Sequence, residues 1–493
     1  MIKKIIKLLL YLFISLALAA IYLSFFGIET KRFNKLITEN INEKYKNVDV
    51  SLNKVKIVLD VKKIKFALET NEPSIKINNT SLRIKKIKTD FPLKSIFKNE
   101  FYLQNLIIIS DKNQLKELLK ILRVFHNTPQ IFILNKLVRK GELTANIEAF
   151  FKGDGKTISN FKVNGSIKNA NIRLFNKKEI QNINLDFVVN NGKYTIRNSQ
   201  LEYSKLKLFS QEINIEDKRD YFLIRGNISN SSNKLDITTI NTIFRKNFTE
   251  NIFKDIKISS KNNFSFKLDK KFKISQLQID SEVNLKSLDY QLKNDFLKDF
   301  FIEYDDSLHF TDHEININYK KDEFDIRGEG FLSVAKKKDK VSYNINSKKD
   351  KYNLNFENFF NNIPFKISAL DFSKNENSPS KFKVSGLFQN KEYILREIFL
   401  SEGENIFKVK NLLLTKKSKI KKVDKIELNF VNDKKKENKI KIERKKTDYN
   451  LYGKIFDATS LVDQILNSSE ESNFSGILDS FNSLIKVKIG KVY

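Results

Sequence analysis

The sequence predicts a mainly β protein: an N-terminal transmembrane helix, then a long, curved, largely antiparallel amphipathic sheet with a groove-like apolar side and a few short helices. Three observations lead there. An uncharged apolar run opens the chain, two-residue alternation of apolar and polar positions fills most of the remainder, and helical spacing occurs only in short stretches far apart.

The opening segment comes first. Lys3, Lys4 and Lys7 form a basic start, and no charge follows from Leu8 to Phe26, a run of 19 residues. About 20 apolar residues at roughly 1.5 Å each cross a hydrocarbon core. Leu8, Leu12, Leu16, Ile21, Phe25 and Phe26 are the expected anchor residues. Ala17-Leu18-Ala19 fits a small-x-small cleavage site, but the apolar run continues past it, which favours an uncleaved anchor over a signal peptide. The lysines keep the N-terminus in the cytoplasm, so the chain after Gly27 is expected on the far side, crossing once.

Residues 31–46 carry Phe33, Leu36, Ile37 and Ile41 at helical spacing. From about Val48 the period becomes two. Val55, Ile57, Leu59 and Val61 alternate with Lys56, Val58, Asp60 and Lys62, and the pattern recurs at Ile75/Ile77 and Leu82/Ile84. It continues at Ile183/Leu185/Phe187, Leu206/Leu208, Ile213/Ile215, Phe264/Phe266/Leu268, Leu277/Ile279 and Val283/Leu285. Tyr343/Ile345, Leu354/Phe356, Phe382/Val384, Leu428/Phe430 and Ile440/Ile442 complete it. Each such strand has one apolar and one polar face. Short helices are expected at 93–98, 114–126, 240–253 and 460–466, too few to cover that many strands.

Two arrangements satisfy this pattern: strands closed into sandwiches or barrels, or one long sheet with an open apolar trough. Some 30 strands at about 4.8 Å each extend on the order of 140 Å. No Pro/Gly/Ser-rich linker breaks the body, which favours continuity. The expected divisions are 1–27 (cytoplasmic start and anchor), 28–130 (an α+β region) and 131–493 (the β body). The last alternating stretch, Leu484 to Tyr493, ends abruptly, and the expectation is a body truncated at its C-terminus.

Only 14 glycines serve this many turns, so Asn, Asp and Lys must supply them, as at Asn190-Asn191-Gly192, Lys348-Lys349-Asp350 and Asn432-Asp433-Lys434. The net charge of +31 comes from lysine spread over the whole chain alongside abundant Asn and Ile, which reads as AT-rich codon usage rather than a dedicated anion site. It still suits a position near an anionic membrane. Cysteine is absent, which removes disulfides, thiolate nucleophiles and Cys-ligated metals.

Of three histidines, His309 and His313 stand four apart, a metal-binding spacing on a helix; here they read as a turn between strands. Lys152-Gly153-Asp154-Gly155-Lys156 reads as a hairpin turn, not a phosphate loop. Asp305-Asp306 and Glu470-Glu471 read as solvated loop acids. The 42 phenylalanines follow the strand period, as a core or groove face does, rather than marking nucleic-acid stacking. No catalytic residue, metal ligand or cofactor is expected, and no nucleic acid partner.

The order of elements carries a resemblance. A basic start and single membrane helix lead into Asp90-Phe91-Pro92-Leu93-Lys94-Ser95-Ile96-Phe97-Lys98-Asn99-Glu100, an apolar strand over 101–109, and the helix Leu115-Lys116-Glu117-Leu118-Leu119-Lys120-Ile121-Leu122. Gly141-Glu142-Leu143-Thr144-Ala145-Asn146-Ile147 and Phe161-Lys162-Val163-Asn164-Gly165-Ser166-Ile167-Lys168-Asn169-Ala170-Asn171-Ile172 form a strand–Gly–strand phrase. Gly453-Lys454-Ile455-Phe456-Asp457-Ala458-Thr459-Ser460-Leu461 forms a strand ending in Asp before a helix. Together these resemble the AsmA-like superfamily of bacterial envelope proteins, in its YhdP-like, bridge-like lipid-transfer group.

The resemblance implies an inner-membrane anchor, a periplasmic body, and a hydrophobic groove carrying phospholipid or another envelope lipid between inner and outer membranes, with outer-membrane or periplasmic proteins as further partners. The groove candidates are Ile183, Leu185, Phe187, Leu206, Leu208, Ile213, Ile215, Leu277, Ile279, Leu354, Phe356, Leu428 and Phe430. The alternative is a non-enzymatic envelope assembly or structural factor with closed β-domains; a surface adhesin ranks third, disfavoured by low glycine and the uncleaved anchor.

Overall fold

The computed structural model describes residues 2–60, 65–90, 103–126, 128–155, 157–174, 178–244, 248, 252–390, 392–415, 420–467 and 484–493. The helix expected at 93–98 and the pair Glu470-Glu471 lie outside these residues, as does Val61. The protein is mainly β, with extensive, mostly antiparallel sheet, a few short helices and one long apolar helix at the N-terminus. It divides into two compact units, Met1–Asn227 with Leu268–Lys273, and Ile228–Lys267 with Ile274–Tyr493. The boundary falls inside the strand Tyr221–Leu235, next to a run of small polar residues, Ser229-Asn230-Ser231-Ser232-Asn233, which the expectation of a Pro/Gly/Ser-rich linker passes over.

In the first unit, the helix Ile2–Phe25 is 24 residues long, about 36 Å at 1.5 Å per residue. Gly27 ends it in the left-handed region (φ +64), with its N–H returned to the Tyr22 carbonyl at 3.3 Å. A Cβ there would meet the Ile57 carbonyl at 2.8 Å, so the missing side chain lets the end of the long apolar helix seat on the strand Val55–Asp60. Ile28–Glu29 then pairs with Ile57 and Lys56.

The helix Lys31–Lys44 lays Ile37 and Ile41 on a small core of Val50, Leu52, Val55 and Leu68. Strands run on through Lys65–Asn71, Thr80–Asp90 and Asn105–Ser110. The helices Leu115–Phe125 and Pro129–Leu137 follow, and then five long antiparallel strands from Val138–Phe151 to Leu206–Asp217.

In the second unit the strands between Ile274 and Phe456 are antiparallel neighbours, and Ile485–Val492 adds a parallel pair with Asp448–Phe456. Two sequence expectations are corrected here. The helix at 240–253 is Ile237–Phe244, begun by Asp236, whose carboxylate accepts from the Thr239 N–H at 2.8 Å; Phe253 already opens a strand. The segment holding His309 and His313 is not a turn but lies within the strand Ser307–Lys320.

The scarcity of glycine shows at the hairpins. Two-residue turns with both φ positive occur at Asn78-Asn79, Asn191-Gly192, Ser204-Lys205 and Ala335-Lys336. This is the turn twist that matches strand twist. At Ser204-Lys205 and Ala335-Lys336 residues with a Cβ accept the left-handed backbone at a cost of about 1–2 kcal/mol each.

Left-handed residues also occur inside strands: Asn169, Asn182, Asn198, Asp255, Gln276, Asp312 and Asn411. Five of them stand in the same local context, apolar–polar–(this residue)–apolar, as in Ile180-Gln181-Asn182-Ile183; after Asn198 and Asp312 the inward position is taken by the buried polar residues Ser199 and His313. Register shifts accompany several of them. These are β-bulges. One extra residue moves the alternation by one step, so the apolar side chains after the bulge return to the face they occupied before it. The N–H groups that lose a ladder partner are satisfied by neighbouring side chains: Asn169 donates to Asn184 Oδ1 at 3.0 Å and Asn182 to Asn171 Oδ1 at 3.1 Å.

Candidate functional site: an apolar sheet face

Because directly paired residues share a face, the registers align the apolar positions into rows. In the first unit one row runs Ile87, Ile108, Ile147, Val163, Val189, Tyr194, Ile215 across seven strands. Beside it run Ala145, Gly165, Phe187, Ile196 and Ile213. In the second unit a row crosses twelve strands: Val283, Ile315, Gly328, Tyr343, Phe356, Val384, Ile398, Val409, Ile426, Ile442, Leu451, Val487. A parallel row holds Ile317, Ile326, Ile345, Leu354, Gly386, Leu395 and Leu412.

Gaps left by glycine are filled across the strand. A Cβ on Gly165 would stand 2.5 Å from the Phe187 ring, and one on Gly328 would overlap Tyr343. Large rings therefore lie over bare backbone, keeping the surface continuous.

Burial distinguishes the parts of this face. Every side chain of the long second-unit row except exposed Val487 is half-buried, and so are Ile317, Ile326, Ile345, Leu354, Leu395 and Leu412. Neighbours on the same face shield such a residue from the sides only; a second layer would bury it fully, as at Val341, Leu400, Phe407 and Phe430. That layer is the segment Phe360 to Lys374, joined by Phe301. Phe365 and Phe372 press onto the sheet there, with Phe372 tilted against Phe407 at 4.8 Å between ring centres and Phe300 stacked on Phe365 at 4.9 Å. Elsewhere the helices pack on other elements: Leu115–Phe125 on Val138–Phe151, Asp295–Phe300 on Phe365–Ile367, Thr459–Asn467 on Ser368–Leu370.

The sequence-derived candidates divide accordingly. Leu185, Phe187, Leu206, Leu208, Ile213 and Ile215 in the first unit, and Leu277, Ile279 and Leu354 in the second, are half-buried. Phe187, Ile213 and Ile215 fall in the aligned rows, while Leu206 pairs Tyr203 and Leu208 pairs Leu201. Ile183, opposite Ala170, is buried. Phe430 belongs to the covered cluster, and Leu428 and Phe356 pack against it. The expected anchor residues Leu8, Leu12, Leu16, Ile21, Phe25 and Phe26 are all exposed, with Phe26 just beyond the helix end.

The opposite face is charged. Rows such as Glu357–Lys383 and Lys408–Glu427–Lys441 alternate in sign. Lys381 and Lys383 hold Glu357 below the usual carboxylate range, mainly through the hydrogen bond from Lys381. Phe331, Phe359 and Phe399 sit on this face, not the apolar one, each under a lysine: Lys338, Lys381 and Lys408, at 4.2, 5.0 and 5.7 Å from the ring centres. Two shallow hollows of about 580 and 530 Å³ follow polar rows, Thr144–Ser166–Asp186–Arg197 and Asn316–Arg327–Asn344–Asn355.

The remaining singled-out residues have structural partners. The bulge at Asp312 separates the histidines. His309 faces Asp289 on the polar side, at 2.8 Å, while His313 lies on the apolar side opposite Leu285. His313 Nε2–H donates to the Phe331 carbonyl at 3.1 Å, and burial lowers its pKa. Two rings on opposite faces cannot share a metal. Burial opposes the charge on Asp457, yet donors Thr459, Lys436 and Asn432 hold its pKa at about 2. Asp457 thus starts the helix Thr459–Asn467, which accounts for the strand–Asp–helix phrase.

Comparison with family models, with curated proteins and with solved structures returns no match.

Proposed function

We propose that this protein is an AsmA-like, single-pass membrane protein that holds phospholipid or another envelope lipid on its apolar sheet face, without catalysing a reaction. The supporting observation is the twelve-strand row whose side chains, exposed Val487 apart, stay half-buried. A face of Val, Ile, Leu and Phe left in this state has unrealised burial. Each acyl CH₂ laid on it contributes up to about 0.8 kcal/mol. The helix Ile2–Phe25 is long and apolar enough to span a bilayer. With Lys3, Lys4 and Lys7 at its start, the favoured orientation is N-terminus in the cytoplasm and body in the periplasm of a bacterial cell.

The test is photocrosslinking of the full-length protein by a phospholipid with a diazirine in its acyl chain. Adducts should concentrate at Leu185, Phe187, Ile213 and Leu354, and should fall at least several-fold in the first unit when Leu185, Phe187 and Ile213 become Asp with the circular dichroism of the sheet retained. Labelling spread equally over the lysine face would remove the proposal. A second reading, a non-enzymatic assembly factor, is favoured by one observation, the closed phenylalanine cluster of the second unit; it predicts a folded, lipid-free body.

A further inference from the structure

The helices Leu115–Phe125 and Pro129–Leu137 bury little of their apolar surface. Ile121 is the one buried residue on the first, and among the described residues the second has none. Leu122, Phe125, Phe132 and Leu134 are exposed, at 45, 46, 41 and 43%. The setting is basic: between residues 111 and 140 seven lysines and arginines face two acids, Asp111 and Glu117, a surplus of five. Phe132 lies between two cations, Arg123 at 5.4 Å and Lys136 at 4.5 Å from its ring centre.

We propose that this pair of helices rests on an anionic bilayer surface, with Leu122, Phe125, Phe132 and Leu134 at the headgroup–acyl boundary and the cations at lipid phosphates. Apolar side chains interleaved with lysine and arginine are the pattern of an interfacial helix. Position argues for a bilayer rather than another protein as the occupant. The spanning helix belongs to the same unit and seats on the strand Val55–Asp60. From there four strand pairings lead to Val138–Phe151, on which the helix Leu115–Phe125 packs. At about 4.8 Å per pairing that is roughly 19 Å. The inference rests on the anchor half of the proposed function and not on the lipid-holding face, which the crosslinking experiment tests by itself.

The chain has no tryptophan, so Phe132→Trp gives a single reporter in the full-length protein. The protein is reconstituted into vesicles of phosphatidylcholine alone or with phosphatidylglycerol added. Emission should shift to the blue, and bromine-labelled acyl chains should quench it, in the anionic vesicles only. Lys116→Gln, Lys120→Gln and Lys136→Gln should each weaken this surface partition about fivefold, and molar salt should abolish it. Phe359→Trp, on the lysine-bearing sheet face, should stay unquenched throughout. An indole at position 132 that stays open to iodide, and unquenched by brominated chains in anionic vesicles, would overturn the proposal. So would a blue shift in detergent that grows with protein concentration and needs no lipid, which would assign the patch to a second copy. Retained helical circular dichroism excludes simple unfolding of the variants.

Discussion

The two ends of one apolar face in the second unit differ in a single respect. Val341, Leu400, Phe407 and Phe430 are buried under Phe365 and Phe372, while Ile345, Leu354, Ile398 and Val409 are left half-covered. The strands beneath are the same kind of sequence, with the same alternation and the same lysine-rich reverse side. What separates a closed core from an open surface is an excursion of chain from Phe360 to Lys374, with Phe300 and Phe301 packed on it. Alternation therefore tells which face is apolar, but not whether anything lies on it.

The largest expected effect tests the covered end. Phe365→Ala removes a side chain with no exposure and leaves a cavity, and should cost about 3–5 kcal/mol in urea unfolding of the detergent-solubilised protein. Leu354→Ala on the open end removes transfer energy without creating a cavity, and should cost only about 1 kcal/mol. Equal losses would erase the distinction between the ends.

His313 sharpens it further. Its pKa is lowered by burial, so between that lowered value and the ordinary value near 6.5 the unfolded chain binds more protons than the folded one. Stability contributed by the neutral ring is present above about 6.5 and is lost as pH falls through this window. His313→Asn should flatten the pH dependence of the unfolding midpoint there; an unchanged slope would mean the ring is solvated.

Turn strain should give a gain of about 1 kcal/mol for Lys336→Gly, since φ +66 suits glycine. The smallest effect belongs to the charged face. Glu397→Gln, which breaks the partly exposed pair with Lys408 at 2.9 Å, should change stability by less than about 0.5 kcal/mol, and by nothing measurable in high salt.

Much of the architecture was legible. The alternation at Ile183/Leu185/Phe187 and at Leu354/Phe356 identified strands, and the uncharged run from Leu8 identified the long helix. Three things were not. Ile237–Phe244 was placed too late because its start depends on Asp236 binding Thr239, a contact that apolar spacing does not register. The stretch around the histidines reads as a turn because Thr311, Asp312, His313 and Glu314 are four polar residues in a row; in the strand Asp312 is a bulge and His313 takes the inward position. Phe430 and Leu428 were grouped with residues such as Leu185 because nothing in local pattern announces that a distant segment folds over them.

The bulges carry a genetic consequence. At Asn182 the order is Ile180, Gln181, Asn182, Ile183, so in-frame loss of that one codon rejoins an unbroken alternation, and the same holds at Asn169, Asn198 and Asp312. Loss of a codon two or four residues away, at Asn184 or Asp186, would instead turn the rest of the strand inside out. Short deletions in this gene should therefore be tolerated at a handful of asparagine and aspartate codons and rejected at most others within the strands.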